Sequence, residues 1–238
     1  MSEHITSGMV LAAGLGTRMH PLTLHTPKPL IKVAGRTMAD RALDRLKEAG
    51  VSDVVLNISY LGEQIASHFK NRTDMNIQLS NEDEPLETGG GVQKALPLLK
   101  GKAFFVLNGD AVLLNGPTPT LRRMKDFWNA ADMDVLLLLL PSAKAIGYNG
   151  PGDFTLDNRS IPAFREERNT APYVFSGVQI LAHNTFENRP RGKWSLREIY
   201  QDAITKGRAR ALVHDGDWLH VGTPEGLEVA EDYFAKLA

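Results

Sequence analysis

The chain contains no cysteine, which excludes disulfides, thiolate metal sites and cysteine nucleophiles together. Neither sign of charge is in excess: 27 Lys and Arg stand against 28 Asp and Glu, a formal net charge of −1. Nucleic-acid-binding surfaces normally show a clear basic excess, so neither DNA nor RNA is expected as a partner. Low-complexity tracts are absent. Long apolar runs are also missing. The longest, MDVLLLLLP at residues 133–141, is far shorter than the ~20 residues that cross a bilayer, and it reads as a strand buried on both faces. The opening MSEHITSG lacks a basic region followed by an apolar core, so no secretory signal is expected. These absences predict a soluble cytoplasmic protein with no membrane partner.

What is present is ordinary globular material, 42% hydrophobic and 23% charged, and 238 residues suffice for a buried core. Strand-length apolar runs at residues 8–13, 51–58, 75–79, 103–107 and 135–140 alternate with helix-length amphipathic stretches at 37–49, 61–71, 92–99 and 118–131. Thr37 and Asp40 have capping-box spacing, and Gly50 stands where a helix stop belongs. Such alternation predicts a single-domain, three-layer α/β/α fold with a Rossmann-like, mostly parallel mixed sheet. Beyond residue 141 the pattern turns to short segments at 154–156 and 161–164, then strands at 174–181, 209–214 and 218–221. Ser195 with Glu198 opens one more helix, and Thr223-Pro224 starts the last. With no linker or repeat, residues up to about 140 are expected to form a nucleotide-binding half and residues from about 141 a second half of the same domain.

Four stretches carry chemistry. The first, LAAGLGTRMHPLTLHTPKPL at residues 11–30, leaves a strand through a glycine-rich loop at the sheet edge where ligands bind in open α/β folds. It is neither a P-loop nor the dinucleotide fingerprint, because no Gly-Lys-Ser/Thr closes it and Met19 sits where a third glycine belongs. Free amides around Gly14 and Gly16 could wrap phosphates, with Arg18 as a fork donor. A plain strand–helix turn with a surface arginine would look the same. Lys28 shifts the balance: set between Pro27 and Pro29, its backbone is expected outside the helical region and its side chain aimed rigidly.

This stretch resembles the opening motif of the sugar-1-phosphate nucleotidyltransferases, and the likeness extends over nearly the whole chain. The resemblance implies the nucleotide-diphospho-sugar transferase type of fold. It places Leu11, Ala12, Ala13, Gly14, Gly16, Thr17 and Arg18 around the nucleotide phosphates, and Arg18 and Lys28 among the catalytic groups.

The second stretch is PLETGGGVQKALPLL, residues 85–99. Three glycines at a helix start could let a flat ring lie on the backbone and leave amides free, or could be a loose loop. Within the family it matches the base-reading segment, which implies that Glu87, Gly89 and Gly90 contact the nucleotide. Its wording most resembles the branch of N-acetylmuramate α-1-phosphate uridylyltransferases of cell-wall recycling.

The third, FFVLNGDAVL, sets Asp110 just after a buried strand, as a hard cation beside a triphosphate requires; Asn108-Gly109 is equally a good hairpin turn. The resemblance implies that Asp110 binds Mg²⁺ and that Asn108 helps position the sugar phosphate.

The fourth, GDWLHVGTPEGL, has His220 where the family usually has the aspartate of a Trp-x-Asp-x-Gly-Thr pattern, its second metal ligand. His220 is carried with Asp110 as a metal-site residue, but imidazole suits magnesium poorly, so either the second ligand moves to Asp217, or Asp110 holds the ion with phosphates and water, or the ion is a different divalent metal. Asp217 reads as surface rather than ligand.

On the sugar side the resemblance implies that Gly177 lines the pocket. Arg165 is placed either on the sugar phosphate or in solvent, and Trp194 either caps the pocket or packs. The implied activity joins UTP and a sugar 1-phosphate, with N-acetylmuramic acid α-1-phosphate first, into a UDP-sugar and pyrophosphate. Other sugars or bases, as in mannose-1-phosphate guanylyl, glucose-1-phosphate thymidylyl or phosphocholine cytidylyl transfer, remain open. So does a non-catalytic nucleotide-binding regulator. The expected assembly is a monomer or small homo-oligomer.

Overall fold

Hydrophobic side chains alternate between two faces along β1 (Ser7–Leu11): Val10 goes into one buried cluster and Met9 into another. That alternation makes the sheet the middle of three layers. The computed structural model describes residues 5–167 and 169–237.

From the first strand the chain runs through β2 (Lys32–Val33), β3 (Arg36–Thr37) and α1 (Met38–Glu48) to β4 (Asp53–Ile58). It continues through α2 (Gly62–Phe69), β5 (Asn76–Asn81), α3 (Glu87–Ala95), β6 (Ala103–Asn108) and β7 (Ala111–Leu113). Then follow α4 (Thr120–Phe127), β8 (Val135–Pro141), β9 (Phe154–Leu156), β10 (Pro162–Phe164) and β11 (Tyr173–Ala182). The last elements are α5 (Arg197–Thr205), β12 (Ala209–Val213), β13 (Trp218–His220) and α6 (Pro224–Ala235).

Strands β5, β4, β1 and β6 pair in parallel, and β11 joins β6 antiparallel. Strand β8 pairs antiparallel with the other edge of β11, and β12 extends the sheet in parallel with β8. Helices α1, α2 and α4 bury Leu43, Ile65 and Met124 against one face; α3 and α5 bury Val92 and Ile199 against the other. This is the three-layer, mostly parallel mixed sheet the alternation predicts. The five leucines 136–140 of β8 are fully buried, as a strand covered on both faces must be. A third, smaller cluster joins α6 to the ribbon formed by β7 and β13. No helix among the described residues is long and apolar enough to cross a membrane.

Local signals set several ends. Thr37 accepts from the Asp40 amide at 3.0 Å, and Gly50 takes φ +75° where α1 stops. Thr223 caps α6 through the Gly226 amide. Three boundaries differ from expectation. Helix α3 begins at Glu87 and runs through all three glycines, because the chain packed on them supplies the order glycine lacks. Helix α4 ends at Phe127, with Trp128 in extended backbone. Lys28 opens a 3-10 turn instead of an extended step: Leu30 N donates to Pro27 O at 2.8 Å and Ile31 N to Lys28 O at 3.0 Å. Pro29 sits where a first-turn amide needs no acceptor, so its missing N–H costs nothing there.

Candidate active site

Parallel strands all end on the same edge, and β1 is where the order reverses between β4 and β6. The loops leaving these strands border a cleft of about 300 Å³. The structure brings Leu11, Ala12, Ala13, Gly14, Gly16, Thr17, Arg18, Lys28, Glu87, Asn108 and Asp110 to its walls.

The glycine-rich loop is held at one end and open at the other. Thr23 Oγ1 donates to the Gly16 carbonyl at 2.8 Å, and a Cβ on Gly16 (φ +65°) would lie 3.0 Å from Lys28 Cβ. The loop is thereby packed on the lysine turn. The amides of residues 14–18 find no acceptor among the described residues, and Arg18 is exposed with no ionic partner among them. A concave row of free donors ending in a guanidinium is an anion cradle. Lys28, its side chain 11% exposed, reaches across to Asp110, Nζ to Oδ2 at 3.2 Å.

Two buried polar residues behind the cleft escaped the sequence reading. Asn57, at the end of β4, accepts the Ala12 amide on Oδ1 at 2.8 Å and donates Nδ2 to Glu82 Oε1 at 2.7 Å. Glu82 Oε2 accepts the Leu86 amide at 2.8 Å. Both side chains are almost fully buried and border the cleft. This chain ties the start of the glycine-rich loop to the segment before α3. The signal that could have found them is position: each sits at the carboxyl end of a strand that precedes a helix in a parallel sheet.

The three glycines of α3 serve close packing. A Cβ on Gly89 would run into the Trp194 indole, one on Gly90 into the Gly192 carbonyl, and one on Gly91 would lie 2.7 Å from Glu82 Oε1. The flat ring on this backbone is therefore Trp194. Its carbonyl also accepts the amides of Gly89 and Gly90, at 2.8 and 3.2 Å, so these are occupied rather than free. Trp194 is buried, with Nε1 donating to Gln93 Oε1 at 3.0 Å; of the two readings it packs. Glu87 stays exposed at the rim with a left-handed φ of +60°.

Gly177 (φ +82°) marks the irregularity in β11 and does not itself border the cleft; it lies behind Asn108, where a Cβ would come within 2.8 Å of Asn108 Cβ. Arg165 lies elsewhere. Its Nε donates to Gly152 O and its Nη1 to the carbonyls of Glu166, Glu167 and Asn169, so it clamps a loop and does not border the cleft.

His220 is brought beside Asp110 by the β7–β13 ribbon, in which it pairs with Ala111. Burial pushes its pKa below the ordinary imidazole value; the Asp110 charge opposes that, and Lys28 and Arg18 add to it. Asp217 is committed elsewhere, accepting Tyr233 Oη at 2.6 Å, which pushes that phenol up to about 12. Among the described residues no three His, Asp or Glu side chains gather into a ready-made metal site. The donor set does fit an ion completed by substrate: one carboxylate plus phosphates suits a hard dication, whereas the His220 nitrogen does not suit magnesium.

Residues 7–236 match the family described as Nucleotidyl transferase, and the chain belongs to that family. It is 34% identical over 241 residues to the N-acetylmuramate alpha-1-phosphate uridylyltransferase of Caulobacter vibrioides, covering 99% of this chain and 100% of that one. It is 35% identical over 228 residues to the protein of the same description from Neisseria meningitidis serogroup B, with 94% and 96% covered. The crystal structure of HddC from Yersinia pseudotuberculosis complexed with GMP-PN superposes with a TM-score of 0.77 at 25% identity, covering 97% of this chain and all of that one.

Proposed function

We propose that the protein is a sugar-1-phosphate uridylyltransferase, which joins UTP and N-acetylmuramic acid α-1-phosphate into UDP-N-acetylmuramic acid and pyrophosphate in cytoplasmic peptidoglycan recycling. The observation that carries this reading is the open amide cradle ending in Arg18, with the Lys28–Asp110 pair facing it across one cleft. End-to-end likeness to two uridylyltransferases supports the base and the sugar.

The nucleophile is an oxygen of the sugar phosphate, whose second ionisation near pH ~6 leaves it charged at neutrality. No general base or covalent enzyme intermediate is needed. That oxygen forms a bond to the α-phosphorus of UTP as the bond to the bridging oxygen breaks and pyrophosphate leaves. The residues must hold these atoms in line and offset charge. The loop amides and Arg18 take the triphosphate, and Lys28 takes the phosphate oxygens on both sides of the transfer. Asn108, braced by Gly177, orients the sugar phosphate. Glu87, at the rim of the cleft, borders the base, while Gly89 and Gly90 behind it let Trp194 and Gly192 pack close, and residues from about 141 form the sugar-side wall. A divalent cation, Mg²⁺ in the family reading, would be held by Asp110 and the phosphates and would supply charge neutralisation on the triphosphate.

A guanylyl reading is the second candidate, favoured by the structural likeness to HddC in complex with GMP-PN. The deciding experiment is pyrophosphate release with Mg²⁺ across the four nucleoside triphosphates and a panel of sugar 1-phosphates. Release confined to UTP and N-acetylmuramic acid α-1-phosphate establishes the reading. Release with GTP and a different sugar phosphate moves the assignment to the second candidate. Silence across the panel, with UTP still raising the melting temperature, would make the protein a nucleotide-binding regulator.

A further inference from the structure

Strand β5 ends the sheet on one side and pairs with β4 alone. Asn76 N donates to Ser52 O and Glu82 N to Ile58 O, both at 2.8 Å, so this set of alternate residues faces β4. Alternate residues of a parallel strand turn both backbone groups to the same side. Ile77, Leu79 and Asn81 therefore present their N–H and C=O groups outward, where no strand among the described residues lies.

The sheet's other ends are blunted. β10 is short and opens with Pro162, and β12 carries Arg210, with Ala211 N already donating to Ser160 O at 2.8 Å. Charge, proline and covering chain are how edges avoid pairing with another molecule. β5 reads NIQLSN, with neither charge nor proline, and Leu79 is 37% exposed on it.

β5 is also complementary to itself. Antiparallel about a two-fold axis, with Leu79 opposite the partner's Leu79, it sets Ile77 against the partner's Asn81 and Gln78 against the partner's Ser80. Ile77, Leu79 and Asn81 then fall at hydrogen-bonded positions, so all their outward N–H and C=O groups are paired. The two exposed leucines cover each other, and no like charges stand opposite within the strand. The flanking charges agree. Exposed Lys70 precedes β5 and exposed Asp83 follows it, while Asp74 and Glu84 are already held by Lys47 and Lys193. Antiparallel pairing sets the acidic exit of each copy toward the basic entry of the other.

We propose that β5 is the interface of a homodimer, in which two copies join their sheets edge to edge through Leu79. The pairing is independent of what the cleft binds.

The absence of cysteine makes the register directly testable by single cysteines. Two copies of residue 79 would have Cα atoms roughly 5.5 Å apart, within disulfide range, whereas two copies of residue 81 would stand about 14 Å apart. Under mild oxidation Leu79→Cys is expected to give a covalent dimer on non-reducing gels at least about tenfold faster than Asn81→Cys. Equal rates, or no dimer from either, overturn the pairing. Sedimentation equilibrium of the wild type is expected to give twice the chain mass. Leu79→Lys, which sets like charges at the two-fold, should weaken self-association at least about tenfold with its circular dichroism melt little changed. A wild type that keeps the mass of one chain at its highest soluble concentration overturns the proposal, as does a dimer that Leu79→Lys leaves intact. The wild-type mass and the cross-link decide even if the lysine variant does not fold.

Discussion

Lys28 and Asp110, 82 residues apart in the chain, meet at 3.2 Å between Nζ and Oδ2 on the wall of the cleft. The lysine cannot serve a sugar phosphate, nor the carboxylate a cation, without this contact loosening. In the proposed reaction, substrate and metal would exchange this pair for their own contacts.

Removing either member is therefore expected to damage catalysis more than folding. Lys28→Ala and Asp110→Ala should each lower kcat by at least about 10²-fold, the scale of one lost transition-state contact. Pyrophosphate release measures the loss, and circular dichroism melting checks the fold. Near-wild-type turnover in either variant would remove that residue from the chemistry.

The buried Asn57–Glu82 link should behave in the opposite manner. Glu82→Ala strands the Asn57 amide and the Leu86 N–H without acceptors, at roughly 1–3 kcal/mol for each buried group left unpaired. For a chain of this size each kcal/mol lowers Tm by roughly 2–4 °C. Because the same link holds Ala12 at the start of the glycine-rich loop, KM for the nucleotide should rise in step if that loop binds its phosphates as proposed. An unshifted Tm would mean that the link carries no net stability.

Gly177→Ala tests the sugar side. The new Cβ would need a left-handed backbone and would press on Asn108. KM for the sugar 1-phosphate is expected to rise several-fold while KM for the nucleotide changes little, as initial-rate kinetics with each substrate varied would show. Equal increases in both constants would mean that the damage is general.

Acid should weaken the fold through its buried histidines. His214 is almost fully buried, with Nδ1 3.3 Å from Thr120 Oγ1 and Nε2 3.2 Å from the Asp217 carbonyl. Burial lowers its pKa, as it does for His183 and His220. The unfolded chain therefore takes up these protons first as pH falls below ~6.5, and stability drops until the lower folded-state values are passed. Melting curves from about pH 7.5 to about pH 5.5 should show this decline, and His214→Gln should flatten it. An identical slope in wild type and variant would exclude His214 as a contributor.

The strand and helix alternation, the caps at Thr37 and Thr223, the stop at Gly50 and the glycine-rich loop were all legible in the chain, because each is written in neighbours within a few residues. Periodicity and local backbone preference act at that range, before any tertiary contact forms. The resemblance carried the identity of Arg18, Lys28 and Asp110 further than spacing could. Sequence alone could also see that position 220 is histidine.

Distant pairings needed the sheet. Nothing near Glu82 announces that it will be buried against Asn57, and the glycines of α3 looked like open backbone until Trp194 and Gly192 were packed on them. Arg165 read equally as a phosphate ligand or a solvated charge until its loop folded around it. Lys28 looked extended until its turn closed. These outcomes depend on which strand ends lie side by side, and parallel register decides that by bringing the carboxyl ends of β1, β4, β5 and β6 to one edge. Sequence by itself determined the elements and the kinds of donor available; tertiary structure decided which donors meet, because hydrogen bonds and ion pairs act only across a few ångströms.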